Sequence, residues 1–156
     1  LFDFEAKYEA APGIKRFLTG TQSVLALSAV SASLSVFEGL VMQDVRARSL
    51  ALTGHFITRW EQSSVLQSHA ALVTPLDGAQ RGSQVSLALE TAFPVSQALI
   101  ADGVIVDFRE PNIVRFGFSP LYNTFSDADQ GIASLEAVLT SERYRLPKFQ
   151  IRSTVT

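Results

Sequence analysis

GVIVDFREPNIVRFGFSPLY, residues 103–122, sets two short apolar runs on either side of a Pro111-Asn112 turn. That pattern reads as a β-hairpin. In the second run, period-two alternation puts Val114, Phe116 and Phe118 on one face and Ile113, Arg115 and Gly117 on the other. A charge among Phe and Val costs free energy unless an anion meets it. Gly117, one strand period further on, leaves space beside it. Two readings of Arg115 follow. It is a carboxylate-binding arginine, or it sits in a structural salt bridge or on a solvated face. The pattern alone leaves both open.

Outward from the hairpin, Gln84 to Leu89 reads as a strand, with Val85, Leu87 and Leu89 alternating with polar or small partners. Leu72-Val73-Thr74 is a weaker strand, and Asp77-Gly78 and Arg81-Gly82 mark the loop between them. Pro94 is expected at the first position of a short helix ending near Asp102-Gly103, where glycine suits the C-terminal cap. A last helix is expected from a Ser126 cap through about Ser141, with Asp127 and Asp129 in its first turn and Ile132, Leu135 and Leu139 inward. Before the strands, a helix from about Val41 to Gln62 turns Val45, Leu52, Phe56 and Trp60 inward and Asp44, Arg46, Arg48 and Arg59 outward.

Ser23 to Met42 carries one charge, Glu38. Its length raises the question of a membrane span, but serines 23, 28, 31, 33 and 35 argue against a lipid-facing helix. Leu27, Val30, Leu34 and Phe37 form one stripe, as for a helix buried at a domain or subunit interface. The expected organisation is an irregular segment over 1–22, helices and a small domain over 23–144, and a peripheral tail over 145–156. The fold class is α+β: a mainly antiparallel sheet with helices on one face, preceded by long linking helices.

With 156 residues the chain suits one domain, and 13 basic against 15 acidic residues give no basic stripe for nucleic acid. The absence of cysteine excludes disulfides, thiolate metal sites and a cysteine nucleophile. It suits a cytoplasmic protein. An apolar content of 47% suggests surface covered by another domain or subunit. Leu1 in place of Met, with no signal-peptide pattern, suggests the downstream part of a longer protein.

Self-contained chemistry is scarce. His55 and His69 are too far apart for a helical metal pair, and neither has an evident partner, so no metal is expected. There is no P-loop, dinucleotide fingerprint or nucleophile elbow. Lys7, Lys15 and Lys148 are the only lysines, and none lies in a desolvating apolar context that would make it a nucleophile. Thr19-Gly20-Thr21 before a helix offers hydroxyls and N–H groups that suit phosphate, or simple helix capping.

Taken together, PGIKRFLTGTQSVLALSAVSASLSVF, RARSLALTGHFI, RGSQVSL and GVIVDFREPNIVRFGFSPLYNTF resemble the C-terminal part of kynureninase, up to about Tyr144. That family has the aspartate-aminotransferase fold (fold type I) and uses pyridoxal 5'-phosphate. The resemblance implies hydrolysis of L-kynurenine to anthranilate and L-alanine by the complete protein, in tryptophan degradation towards NAD. Arg115 matches the arginine that binds the substrate α-carboxylate. Thr21 matches the residue that hydrogen-bonds the cofactor phosphate from a neighbouring subunit, which implies a homodimer. Threonine there is similar to bacterial members that favour kynurenine, whereas asparagine accompanies 3-hydroxykynurenine in some animal ones.

The family's Schiff-base lysine, its aspartate and a cofactor-contacting tryptophan are expected upstream of Leu1, so the chain should be inactive without its N-terminal large domain. Two alternatives stand: the small domain of another fold-type-I enzyme, desulfurase- or aminotransferase-like, and a non-catalytic anion-binding module.

Overall fold

A computed structural model describes residues 8–18 and 20–152. The chain divides into two compact units between Leu40 and Val41, where the sequence shows no strong boundary. Gly39, at φ +78°, ends the helical path there. Glycine takes that left-handed conformation without the clash a Cβ would bring.

In the first unit, a 3-10 turn over Gly13–Phe17 interrupts the expected irregular lead. Helix α1 spans Val24–Leu34 and is followed by a 3-10 turn over Ser35–Phe37, so the expected helix to Met42 ends early. Ser23 caps α1, accepting from the Ala26 N–H at 3.4 Å. Ser33 and Ser35 return their hydroxyls to the carbonyls of Ala29 (2.8 Å) and Ala32 (2.7 Å), which satisfies them without water. Within this chain Leu27, Val30, Leu34 and Phe37 are exposed, as is every described residue of this unit, so the expected burial at a domain or subunit interface would have to come from outside the described residues. One helix and two short turns supply no second layer to cover an apolar stripe. Among the described residues no single helix is long and apolar enough to cross a membrane.

In the second unit, α2 (Met42–Gln62) buries Leu52, Phe56 and Ile57. Val45 is only half-buried, and Trp60 is half-buried with its Nε1–H donating to the Ala70 carbonyl at 3.2 Å. A short α3 (Ser64–His69), not anticipated, is capped by Ser63 and buries Leu66. β1 (Ala71–Leu72), β2 (Gln84–Ala88), β3 (Asp107–Arg109) and β4 (Ile113–Gly117) form one sheet in the order β1-β2-β4-β3. Every pairing is antiparallel. The α+β reading holds.

Between β2 and β3, α4 covers Ala92–Ala101. Pro94 therefore sits at the third helical position rather than the first, still where no intrahelical N–H bond is lost. Gly103, at φ +82°, closes α4 by donating to Ile100 O, while Val104 N–H reaches Leu99 O, both at 3.0 Å. These two bonds define a Schellman cap. Helix α5 (Phe125–Thr140) is capped by Thr124, not Ser126, in a reciprocal box with Asp127. The Thr124 N–H donates to Asp127 Oδ2 at 2.7 Å, and this bond lowers the Asp127 pKa from its ordinary value.

The core lies between one sheet face and α2, α4 and α5. Phe56 of α2 meets Phe116 and Phe118 at ring-centroid distances of 4.8 and 5.4 Å. Phe93 of α4 packs edge-on against Phe108 of β3. Part of the segment expected as a peripheral tail reaches this core. A 3-10 turn (Arg143–Arg145) and α6 (Pro147–Gln150) bury Tyr144 and Phe149. Arg143 ties the turn to α4 through Asp102 and the Ala98 carbonyl.

Candidate functional site

Registry, more than sequence proximity, builds the surroundings of Arg115. The β2–β4 pairing sets Arg115 opposite Ser86, and the β3–β4 pairing sets it opposite Asp107. With Val114, Phe116 and Phe118 turned to the core, strand alternation leaves Arg115, Asp107, Ser86, Gln84 and Gly117 on the helix-free face. The expected two-faced split of β4 is what the structure shows. A Cβ built on Gly117 would meet nothing within 4 Å, so the anticipated space beside Arg115 exists.

Arg115 is met by an anion from its own hairpin. Its Nε–H donates to Asp107 Oδ2 at 2.8 Å, and its Nη2 reaches the same oxygen. Arg109 contributes its Nε at 3.1 Å to that oxygen as well. The structural salt bridge left open by the sequence is therefore present. It does not use the whole guanidinium: among the described residues, Nη1 has no hydrogen-bond partner. The side chain is 28% exposed. The hydrogen bond from Arg115 draws the Asp107 pKa down from its ordinary value; partial desolvation opposes this, and the charges of Arg115 and Arg109 reinforce it. Two guanidinium groups against one carboxylate leave the cluster with a surplus positive charge.

Thr21 stands exposed in the stretch before α1. The helix is capped by Ser23 rather than by Thr21, and among the described residues the Thr21 hydroxyl has no protein partner. Capping does not account for it. Thr19 and Lys7 lie outside the described residues.

His55 differs from expectation. Packing of α2 on α5 brings its Nε2 to 2.9 Å from Asp129 Oδ1, and Arg59 Nε lies 3.0 Å from the same oxygen. Asp129 thus clamps two helices rather than starting one. No group of three potential metal ligands occurs among the described residues. Lys148 rests over the Phe149 ring and Lys15 is exposed, so neither is a desolvated nucleophile. A cavity of about 460 Å³ opens at the end of β4, walled by Ile105, Gly117, Tyr122, Asn123 and Gln130 among others. Arg115 is not in its wall.

Sequence reasoning missed Asp107. A signal existed: Asp107 and Arg115 each stand four residues from Pro111, so a symmetric hairpin sets them opposite each other.

A family model for the kynureninase C-terminal domain matches residues 45–135, more than half of the chain. The chain belongs to the kynureninase family. Arg115 lies inside the matched stretch. Kynureninases of Burkholderia mallei (strain SAVP1) and Burkholderia pseudomallei (strain 1106a) are each similar at 44% identity over 155 residues. The kynureninase of Pseudomonas fluorescens is similar at 43% over the same length. These alignments take in 99% of the chain and 37% of each relative. They span Thr21 and run on past Tyr144, so the likeness to kynureninases includes the segment expected to fall outside it. A solved NifS-like protein superposes with a TM-score of 0.62 at 16% identity, covering 85% of this chain and 38% of its own. That likeness is one of fold alone.

Proposed function

We propose that the chain is the carboxylate-anchoring C-terminal part of an enzyme that hydrolyses L-kynurenine to anthranilate and L-alanine with pyridoxal 5'-phosphate. The observation carrying this reading is the uncommitted end of the Arg115 guanidinium on a helix-free sheet face, within the stretch that matches the kynureninase C-terminal domain. A guanidinium end edge is the right shape for a bidentate carboxylate, the group every amino-acid substrate carries.

Thr21 fits the cofactor: a hydroxyl with no protein partner before a helix N-terminus can donate to a phosphate oxygen. When bound, the cofactor would supply an electron sink for cleavage of the bond between the substrate β- and γ-carbons, the bond that separates alanine from anthranilate. This chain's residues then bind and orient. Arg115 fixes the carboxylate end of the substrate, and Thr21 holds the cofactor phosphate in the active site of a neighbouring subunit. The lysine that anchors the cofactor is assigned to the portion of the relatives that this chain does not span. The exposed stripe of α1 suits a covering surface from that portion or from a second copy, in a cytoplasmic homodimer.

The test is turnover by the complete protein, with kynurenine and 3-hydroxykynurenine set against cysteine and common amino acids. Anthranilate release with kynurenine preferred is the expected result. Sulfur release from cysteine, or transamination without anthranilate, would replace the reading.

A further inference from the structure

We infer that Asp107 is a positioning residue for Arg115: it grips the guanidinium by one edge so that the other edge stays aimed and open for the substrate carboxylate. The inference rests on Arg115 being the substrate anchor and adds the residue that sets its orientation.

A guanidinium presents two edges with paired donors. The side edge carries Nε–H and one Nη2–H; the end edge carries an N–H from each of Nη1 and Nη2. Asp107 takes the side edge through the single oxygen Oδ2. Nη1 keeps no protein partner among the described residues, so the end edge remains for a ligand. Asp107 therefore does not occupy the position a substrate carboxylate needs. An arginine fixed at Nε loses most of the rotamer freedom it would otherwise surrender on binding.

Arg109 keeps this grip from becoming neutralisation. It places its own Nε on the same Oδ2 at 3.1 Å, so one carboxylate serves two cations. The pair Asp107–Arg109 holds Arg115 in place while the cluster keeps a net positive charge towards the open face. Asp107 and Arg109 alternate with Phe108, which packs edge-on against Phe93 at the margin of the core, so β3 fixes the face from which both side chains act.

The experiment uses the complete cofactor-loaded protein and measures kcat and KM for kynurenine in Asp107→Asn, Asp107→Glu and Arg115→Lys. It also measures the inhibition constant of the kynurenine analogue carrying hydrogen in place of the α-carboxylate. Asp107→Asn is expected to raise KM about tenfold, the loss of one charge-assisted hydrogen bond, with kcat within about twofold. The analogue's inhibition constant should not move, and Asp107→Glu should recover part of the loss.

An unchanged KM in Asp107→Asn overturns the inference. So does a lowered one, which would make Asp107 a competitor for the same edge. An analogue that loses affinity in step with kynurenine also overturns it, since a general structural defect does not distinguish a carboxylate. Arg115→Lys separates the two levels. If its KM is normal, the anchor assignment itself fails; if its KM rises while that of Asp107→Asn does not, only the role of Asp107 fails.

Discussion

Gly117→Ala probes the helix-free face with the least disturbance to the chain. The added Cβ would meet no atom within 4 Å, and Gly117 is not among the glycines with positive φ. Glycine inside a strand costs about 0.5–1 kcal/mol relative to alanine through its greater freedom in the unfolded chain. The 156-residue chain should therefore keep or gain up to about 1 kcal/mol, read as an unchanged or higher urea midpoint with an unchanged slope. The methyl would project two residues along β4 from Arg115, about 6.6 Å away on the same face. A substrate whose carboxylate sits on Arg115 and whose body passes that point would meet it. Crowding a well-packed contact costs about 1–3 kcal/mol, a KM increase of roughly 5- to 150-fold in the complete enzyme. A lowered midpoint would refute the open space. A preserved midpoint with unchanged KM would refute the passage of substrate beside Gly117.

In the complete protein, Thr21→Ala should weaken pyridoxal-phosphate retention by about 1–2 kcal/mol, one hydrogen bond to a charged group; equilibrium dialysis with unchanged affinity would remove the phosphate role. Gly103→Ala forces a Cβ into the left-handed cap of α4 and should cost about 1–2 kcal/mol, read by thermal melting. Unaltered stability would contradict the Schellman geometry. Asp107 and Asp127 both titrate below their ordinary value in the folded chain. Their contributions are complete above the unfolded carboxylate pKa of about 4 and fade as pH falls through the depressed folded values. Melting temperature should thus drop below about pH 4, and Asp107→Asn should flatten that drop; an equally steep fall in the variant would exclude Asp107 as a contributor.

What could be read from the chain follows the range of each signal. Strand alternation is local, so the faces of β2 and β4 were legible from Val85, Leu87, Val114 and Phe116. The helix over Val41–Gln62 was legible from its period. Asp107 was legible only as one residue of a run, because its meeting with Arg115 depends on hairpin registry. The His55–Asp129 contact joins residues 74 apart through helix packing, which no local pattern encodes. Tyr144 and Phe149 lie in a 3-10 turn and a single helical turn, too short to show a period. The α5 start was misplaced because Ser126 resembles a cap, although Thr124 and Asp127 carry the spacing of a capping box. Thr21 gained meaning from the helix cap: Ser23 fills that role and leaves Thr21 without it.

The edges of the sheet bear on what the helix-free face can tolerate. β1 has two residues and β3 has three. An edge that short gives a passing strand almost no ladder of main-chain donors and acceptors to template on. Residues 107–109 also present Asp107 and Arg109 as alternating charges along that edge. The sheet can therefore carry a helix-free face around Arg115 and Gly117 while its short outer strands give little purchase for edge-to-edge polymerisation.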